Sequence, residues 1–193
     1  LVPTNWDPAL ISPLSNLEAD VQLYGVLPTS MIGSGGRGPD SVHMLEEQAE
    51  AYIEQARSAG LQFDYILNAP SMGNMEWEED THQELLEHLK WVSSIGVDSV
   101  TVTIPYLIEL IKRQFPSLKV RVSTIAHINS VARAKLFESL GADSITLDFN
   151  INRDFKVLEA IRDAVNCELT VLLNNLCLLY TSDAADEEDS VDL

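Results

Sequence analysis

The sequence is poor in basic residues and in cysteine, and it has no long hydrophobic run. Its 193 residues include 12 Lys and Arg against 30 Asp and Glu, which gives a formal net charge of −18. Proteins that bind phosphate backbones without sequence preference are usually basic, so this composition disfavours that class. Two cysteines, Cys167 and Cys177, are too few for a disulfide framework.

Membrane and export signals are also missing from the sequence. No apolar stretch approaches the roughly 20 residues that a membrane-spanning helix needs, and the first residues do not form a basic segment followed by an apolar one. The chain is 46% hydrophobic, which is enough to build a core. We therefore expect a folded cytoplasmic protein without membrane contact, and the sequence leaves its oligomeric state open.

Strand and helix patterns alternate along most of the chain. Short runs rich in β-branched residues predict six strands, at 21–27, 63–67, 99–104, 119–123, 144–147 and 168–173. Apolar residues spaced by three and four predict helices between them, at 41–59, 80–94, 106–114, 130–140 and 154–165. Asp40 is the expected N-cap of the first of these helices, and Gly60, Gly96 and Gly141 are expected to end helices in the left-handed conformation.

This alternation predicts a parallel sheet with right-handed crossovers. Regular units without a reversal of strand order favour an incomplete TIM-type (β/α) barrel of six parallel strands over residues 1–176, because a complete barrel has eight. We expect the first and sixth predicted strands to have unpaired edges. Residues 177–193 carry six acidic residues and no basic one, which predicts an acidic disordered tail.

A glycine-rich loop lies between the first predicted strand and helix. Residues 33–38 (GSGGRG) match G-x-G-x-x-G, with Gly36 at a variable position, but the spacing to the strand and the intervening Pro39 disfavour a dinucleotide site. The functional interpretation is an anion-binding, substrate-holding loop at the barrel mouth, with Arg37 as its fixed charge. The alternative is a flexible loop in solvent.

Chemistry in a TIM barrel occurs at the carboxyl ends of the strands, and polar residues follow several of those ends here. Asn68 and Asn174 are two of them. Asp148, Asn150 and Arg153 form the most distinctive group, in which Asp148 is a candidate base and Arg153 a candidate partner for a substrate carboxylate or phosphate. The alternative for this group is a helix entry capped by Asn152 or Asp154, with Arg153 on the surface.

The histidines show no H-E-x-x-H spacing, and no serine lies in a G-x-S-x-G elbow. His127 is the histidine placed near the mouth, whereas His82 and His88 are expected to be solvated. The acidic run at 76–87 is interpreted as the solvated start of a helix. Cys167 is expected to be a buried small residue, and Cys177 could ligate a metal or cluster, although one cysteine cannot hold a cluster alone.

Several stretches resemble one known family, the U32 peptidases or collagenase-like proteases. The resemblance covers about residues 5–179 and is most specific over 97–177; it rests on LYGVLPTSMIGSGGRGP, FDYILNAPSMGN, GVDSVTVTIPYLIELIKRQFPSLKVRVS, LGADSITLDFNINRDFKVLEAIR and CELTVLLNNLCLL. It implies a TIM-barrel-like domain with a cysteine-rich segment after strand six. The family name implies a peptide or protein substrate and hydrolysis of unassigned catalytic type.

Several relatives instead support hydroxylation of RNA or of a ubiquinone precursor and carry a four-iron four-sulfur cluster. Only Cys177 matches a cluster-cysteine position. The resemblance therefore implies a cluster in the full-length parent and none in this chain, which we expect to be an inactive fragment. The acidity disfavours RNA as a substrate without excluding it, because the −11 net charge of residues 40–87 is followed by +1 over 88–176. A non-catalytic binding barrel is a third possibility.

The tail has a resemblance of its own. CLLYTSDAADE, which begins at Cys177, looks like the translation of a transposase adapter used in sequencing libraries. We therefore expect residues 177–193 to be non-native. The alternative is a natural acidic tail.

Overall fold

The computed structural model describes residues 1–27, 29–33 and 44–173. Strands and helices alternate throughout this part of the chain. The strands are β1 Val2–Pro3, β2 Gln22–Gly25, β3 Gln62–Leu67, β4 Ser99–Val102, β5 Lys119–Val122, β6 Ser144–Thr146 and β7 Glu168–Thr170. The α-helices are α1 Ile11–Ser15, α2 Glu46–Ser58, α3 Glu79–Ser94, α4 Pro105–Gln114, α5 Val131–Ser139 and α6 Phe155–Ala164.

All seven strands belong to one parallel sheet in the order β1 to β7. Each strand therefore neighbours the next one in sequence, as in a TIM barrel, and a helix lies between successive strands. The architecture is an incomplete TIM-type α/β barrel, which confirms the predicted fold class. We call the end of the sheet formed by the carboxyl ends of the strands the mouth.

The predicted number of six strands is wrong, because a seventh precedes them. Val2 pairs with Leu23 and Pro3 with Tyr24, so β1 occupies the position next to β2. A strand of two residues is too short to show any periodicity, which is why the sequence pattern did not reveal it. The edges of the described sheet are consequently β1 and β7, and the strand predicted as first is paired on both sides.

Helix starts and ends follow the expected chemistry with one exception. Gly60, Gly96 and Gly141 have φ values of 81°, 87° and 104°, so each turns the chain at a helix end as predicted. Helix α2, however, begins at Glu46 after Leu45, where the Gln48 side chain accepts a hydrogen bond from the Leu45 amide. The prediction that Asp40 caps this helix is therefore wrong; Asp40 itself lies outside the described residues.

The two faces of the sheet have different chemistry. Apolar residues at alternate strand positions pack against the helices; Phe63, for example, contacts Tyr52 of α2, and Tyr65 contacts Trp91 of α3. Most of the intervening positions, which face the barrel interior, carry polar side chains; the buried ones are Asp64, Ser99, Thr101, Thr103, Ser123, Ser144, Thr146 and Asp148. Branched apolar residues usually fill a TIM barrel, so this interior is unusually polar.

Hydrogen bonds connect these interior groups across the strands. Ser99 and Thr101 of β4 both donate to the Asp64 carboxylate of β3. Further along the sheet, Arg121 Nε donates to Ser144 Oγ at 3.3 Å. One set of bonds therefore joins β3 to β4 and another joins β5 to β6, and the charge of Arg121 also acts on Asp64. None of the described helices is both long enough and apolar enough to cross a lipid bilayer.

Candidate active site

The loop after β5 is the centre of the mouth. Ser123 caps a 3-10 turn, Thr124–Ala126, by accepting the Ile125 amide at 3.2 Å. His127 follows in the left-handed conformation, with φ 50° and ψ 52°. A non-glycine residue in this region is uncommon and is enriched at functional positions. The turn thereby holds the His127 side chain beside the end of β6.

His127 and Asp148 form an ion-pair geometry at the mouth. His127 Nδ1 lies 3.2 Å from Asp148 Oδ2, and the His127 side chain is 63% exposed whereas that of Asp148 is 5% exposed. A carboxylate that accepts from Nδ1–H fixes the tautomer in which Nε2 has a free lone pair. The pair therefore presents a potential general base to solvent.

Asn150 holds the other oxygen of the same carboxylate. Asp148 Oδ1 accepts the Asn150 backbone amide at 2.9 Å and the Asn150 side-chain amide at 2.8 Å. Burial on its own raises the pKa of Asp148, but these amides and His127 outweigh it, so the pKa lies below its ordinary value. Asp148 is thus kept ionised, as a partner of the imidazole requires.

The side of the mouth formed by β3 and β4 is joined to the same loop. Asn68, the residue after β3, donates from Nδ2 to Ser123 Oγ at 3.1 Å. Thr103, after β4, donates to the Asn68 carbonyl oxygen at 2.9 Å. On the other side, Thr124 Oγ1 donates to the Leu147 carbonyl oxygen at 3.0 Å. The loop after β5 therefore links the ends of β3, β4 and β6.

The structure brings some of the predicted site residues together and leaves others apart. Asp148 and Asn150 are in direct contact, and Asn68 is joined to the loop that carries His127 by its hydrogen bond to Ser123. Arg153 is exposed and forms no hydrogen bond or ion pair with another described residue. Asp154 caps α6 by accepting the Val157 amide at 3.2 Å, which is the helix-entry alternative for this segment.

The predicted substrate loop is described only at its first glycine. Gly33 has φ 71° and open space where a Cβ would lie. The remaining predicted residues of the loop and of the tail, Gly35, Gly36, Arg37, Asn174 and Cys177, lie outside the described residues. Their roles stay predictions.

Two histidines expected to be solvated are in fact half-buried and engaged. His88 Nε2 lies 3.2 Å from Ser30 Oγ, and its ring stacks on Trp91 and contacts Tyr65. Burial lowers the pKa of His88. His82 Nδ1 lies 2.8 Å from the Tyr106 hydroxyl. Helix α3 turns these residues inward, which the acidity of the surrounding sequence concealed.

The acidic run and Cys167 also differ from expectation. Glu76 lies in a 3-10 turn, Met75–Trp77, ahead of α3 and is buried, so it does not belong to a solvated helix start. Cys167 is half-buried, and burial and the Glu138 carboxylate raise the pKa of its thiol. The described residues contain no group of three metal-ligating side chains. They therefore do not fit an iron–sulfur cluster, which needs several thiolates.

With the barrel and its mouth defined, comparison with known proteins identifies the class. The model of peptidase family U32 matches residues 42–184, so the chain belongs to this family. An uncharacterized protease of Methanocaldococcus jannaschii is 33% identical over 136 residues, covering 68% of this chain and 39% of the relative. The tRNA hydroxylation protein P of Escherichia coli is 24% identical over 138 residues, covering 70% of this chain and 28% of that protein. The chain thus spans well under half the length of either relative.

Solved structures agree with the family and the architecture. A U32 peptidase structure superposes with a TM-score of 0.73 at 25% identity, covering 91% of this chain and 72% of the other. D-psicose 3-epimerase superposes with a TM-score of 0.55 at 9% identity, covering 96% and 78% of the two chains. The second likeness concerns the fold alone.

Proposed function

We propose that this chain forms the mouth of a peptide-bond hydrolase in which His127 is the general base. The observation that supports this most directly is the exposed imidazole oriented by a buried, ionised Asp148 at the mouth of a U32 barrel. In this mechanism His127 Nε2 accepts a proton from a water molecule as the water attacks the scissile carbonyl. The imidazolium, stabilised by Asp148, then protonates the leaving amine.

The other site residues have supporting roles in this proposal. Asn150 holds Asp148, and Asn68 supplies an amide at the adjoining strand end, close to where a peptide backbone would lie. Arg153 is free to pair with a substrate carboxylate. Substrate-holding residues from the sequence prediction complete the proposed site: Gly33, Gly35, Gly36, Arg37 and Asn174.

The decisive experiment compares two site variants with a control in the gene product that carries this chain. Hydrolysis of a quenched fluorescent peptide library should fall by roughly 10²–10⁴-fold in H127N, because general-base catalysis contributes about that factor. Hydrolysis by D148N should fall as well, because this variant lacks the carboxylate that orients the His127 ring. E159Q is the control, since Glu159 is an exposed residue of α6 that has no place in the proposed site. Unchanged hydrolysis in H127N would reject the mechanism.

The match to the tRNA hydroxylation protein supports a second candidate, an iron–sulfur protein that assists hydroxylation of RNA or a quinone precursor. Cys177 would be one ligand, and the described residues contain no group of three metal-ligating side chains to complete the set. Purification without oxygen separates the candidates. Cluster absorbance that disappears in C177S, together with no peptide cleavage, would favour the second candidate. Neither activity nor absorbance in the complete protein would favour a binding barrel.

A further inference from the structure

Two large apolar side chains are exposed on the loop between β3 and α3. Trp77 is 68% exposed and Met75 is 46% exposed. The Trp77 ring lies 4.8 Å from that of Tyr106, at an interplanar angle of 48°. Tyr106 is itself held by His82, whose Nδ1 lies 2.8 Å from the hydroxyl. The indole is therefore presented to solvent from a fixed support, as in a binding platform.

The position of this platform is the mouth of the barrel. Trp77 lies in the loop that follows β3, and Tyr106 is the second residue of α4, which follows β4. The hydrogen bond from Thr103 to the Asn68 carbonyl oxygen ties these two strand ends together. Asn68 in turn contacts Ser123 on the loop that carries His127. The platform and the proposed catalytic pair thus both lie on segments that follow the carboxyl ends of the strands.

The surroundings of the platform are strongly acidic. Residues 69–80 include Glu76, Glu78, Glu79 and Asp80 and no basic residue. The dipole of α3 accounts for Glu79 and Asp80, which lie in its first turn. Glu76 has no such explanation, because it precedes the helix.

Glu76 supplies an independent indication that this region favours a positive charge. Its residue is 9% exposed, and its buried Oε2 has no hydrogen-bond partner in the described part of the chain. Burying an unpaired carboxylate oxygen is costly, and a nearby positive charge offsets that cost. Trp77 follows Glu76 directly, so their Cα atoms lie about 3.8 Å apart. Because Oε2 is buried, its charge would act on a cation at the indole through space rather than by contact; such interactions are screened only over a Debye length of about 10 Å.

We infer that Trp77, Tyr106 and Glu76 form a subsite for the cationic side chain of a lysine or arginine in the substrate peptide. A cation over the face of an indole gains attraction from the ring quadrupole, and neighbouring carboxylates add to it. A nucleobase also stacks on aromatic rings, but its phosphates meet four acidic residues here. The inference rests on the proposed peptide substrate and specifies its class.

The test is a binding measurement that does not require catalysis. Calorimetry with the gene product that carries this chain compares acetyl-Ala-Ala-Lys-Ala-Ala-amide with the same peptide containing norleucine, which keeps the four-carbon side chain and removes the ammonium group. We expect the lysine peptide to bind about two- to fivefold more tightly, since a cation over an exposed indole gains about 0.5–1 kcal/mol. W77A should abolish this preference, W77F should retain part of it, and E76Q should weaken only the lysine peptide.

Matched controls lie on distant surfaces. L136A removes another exposed apolar side chain, on α5, and E159Q neutralises an exposed acid on α6; both should leave the preference unchanged. Equal affinity for the two peptides, or a preference that survives W77A, would overturn the inference. Tighter, Trp77-dependent binding of oligouridylate would also overturn it in favour of a nucleic-acid platform.

Cleavage data keep this inference separate from the proposed function. Cleavage by the gene product without a preference for basic residues would remove the cation subsite and leave the hydrolase intact. The reverse result is a gene product that cleaves no peptide, with or without His127, but binds lysine peptides preferentially through Trp77. That result would reject the hydrolase and keep the cation subsite.

Discussion

His127 Nδ1 and Asp148 Oδ2 lie 3.2 Å apart although the two residues come from different strand ends and differ strongly in exposure. The loop after β5 places the imidazole outward, and the end of β6 places the carboxylate inward. This combination, a buried orienting anion and an accessible ring, is the arrangement required of an oriented general base. The stability of the fold and the orientation of the proposed base therefore both depend on the Asp148 carboxylate.

Replacing Asp148 by asparagine should destabilise the fold at neutral pH by about 1–3 kcal/mol, since it weakens the bonds to Asn150 and His127. The folded pKa of Asp148 lies below its ordinary value of 3.8. Its charge therefore stabilises the fold above that value, and the contribution is lost as pH falls through the folded pKa. Urea unfolding at pH 7 and near pH 3 should show the gap between wild type and D148N shrinking on acidification. An equal gap at both values would contradict the ionised Asp148.

Half-buried His88, which contacts Ser30, predicts a second pH dependence of stability, at higher pH than that of Asp148. Burial lowers the pKa of His88 from 6.5, so the neutral ring is the form that the fold favours. The resulting stability is complete above pH 6.5 and is lost as pH falls through the folded pKa. H88F keeps the stacking on Trp91 and cannot be protonated. It should be less stable than wild type at pH 7.5 by about 1 kcal/mol, through loss of the Ser30 contact.

The pH dependence of that difference is the informative measurement for His88. Between pH 7.5 and pH 5, wild type should lose stability relative to H88F, because only wild type must bury a proton on the ring. Thermal melts followed by circular dichroism at the two pH values measure it. A constant difference would show that His88 is charged in the folded state or lies in solvent.

Asp64 should make the stability of the fold change with pH in the opposite direction from His88, so that stability falls as pH rises. Burial raises the pKa of Asp64 above the ordinary value of 3.8. The hydroxyls of Ser99 and Thr101 and the charge of Arg121 lower the pKa, but by less than burial raises it. The neutral form is therefore favoured; its contribution is complete below the unfolded pKa and is lost as pH rises through the folded pKa. D64N stays neutral, so its stability should improve relative to wild type between pH 4 and pH 7.5.

A second variant tests the cause of the Asp64 effect. S99A removes one hydroxyl that favours the carboxylate, so it should make the stability of the chain fall more steeply over the same pH range. Denaturant midpoints at several pH values provide the comparison. A D64N curve parallel to that of wild type would mean that Asp64 is ionised throughout, balanced by Arg121.

Most of the fold could be predicted because its signals are local. Each buried strand is a short β-branched run, and the turns at Gly60, Gly96 and Gly141 mark where helices end. The strand missed, Val2–Pro3, depends on pairing with β2, which is a contact between distant parts of the chain. The helix start at Glu46 was missed for a different reason, since Leu45 is not a typical capping residue.

The site was predictable only in part. Asp148, Asn150 and Asn68 could be found because polar residues that directly follow buried strands face the mouth. The sequence placed His127 near the mouth but did not identify it as a residue of the candidate site. Its signal was its position shortly after a strand end, but its left-handed backbone and its contact with Asp148 arise from the packing of two loops. Trp77 and Glu76 were hidden within an acidic run that looked like an ordinary helix start.

The glycines at the helix ends provide a prediction about stability alone. An alanine at Gly60, where φ is 81° and nothing lies within 4 Å of the added Cβ, should cost only the backbone strain, about 1–2 kcal/mol. At Gly141, where φ is 104°, the added Cβ would lie 2.8 Å from Lys112 Cγ. Lys112 Nζ also contacts Asp143 Oδ2 at 2.8 Å and donates to the Leu118 carbonyl oxygen at 3.3 Å, so it cannot move without losing both contacts.

We therefore expect G141A to cost roughly 2–4 kcal/mol, the strain together with overpacking, and to be clearly worse than G60A. The double variant K112A/G141A separates the two terms, because removing the lysine side chain beyond Cβ relieves most of the overlap. The cost of G141A in the K112A background should be smaller than in the wild type and close to the cost of G60A. The free energies of unfolding in urea measure these costs in a double-mutant cycle. If G141A and G60A cost the same, the close approach of Lys112 to Gly141 does not constrain the fold. An undiminished cost in the double variant would assign the whole effect to the backbone at residue 141.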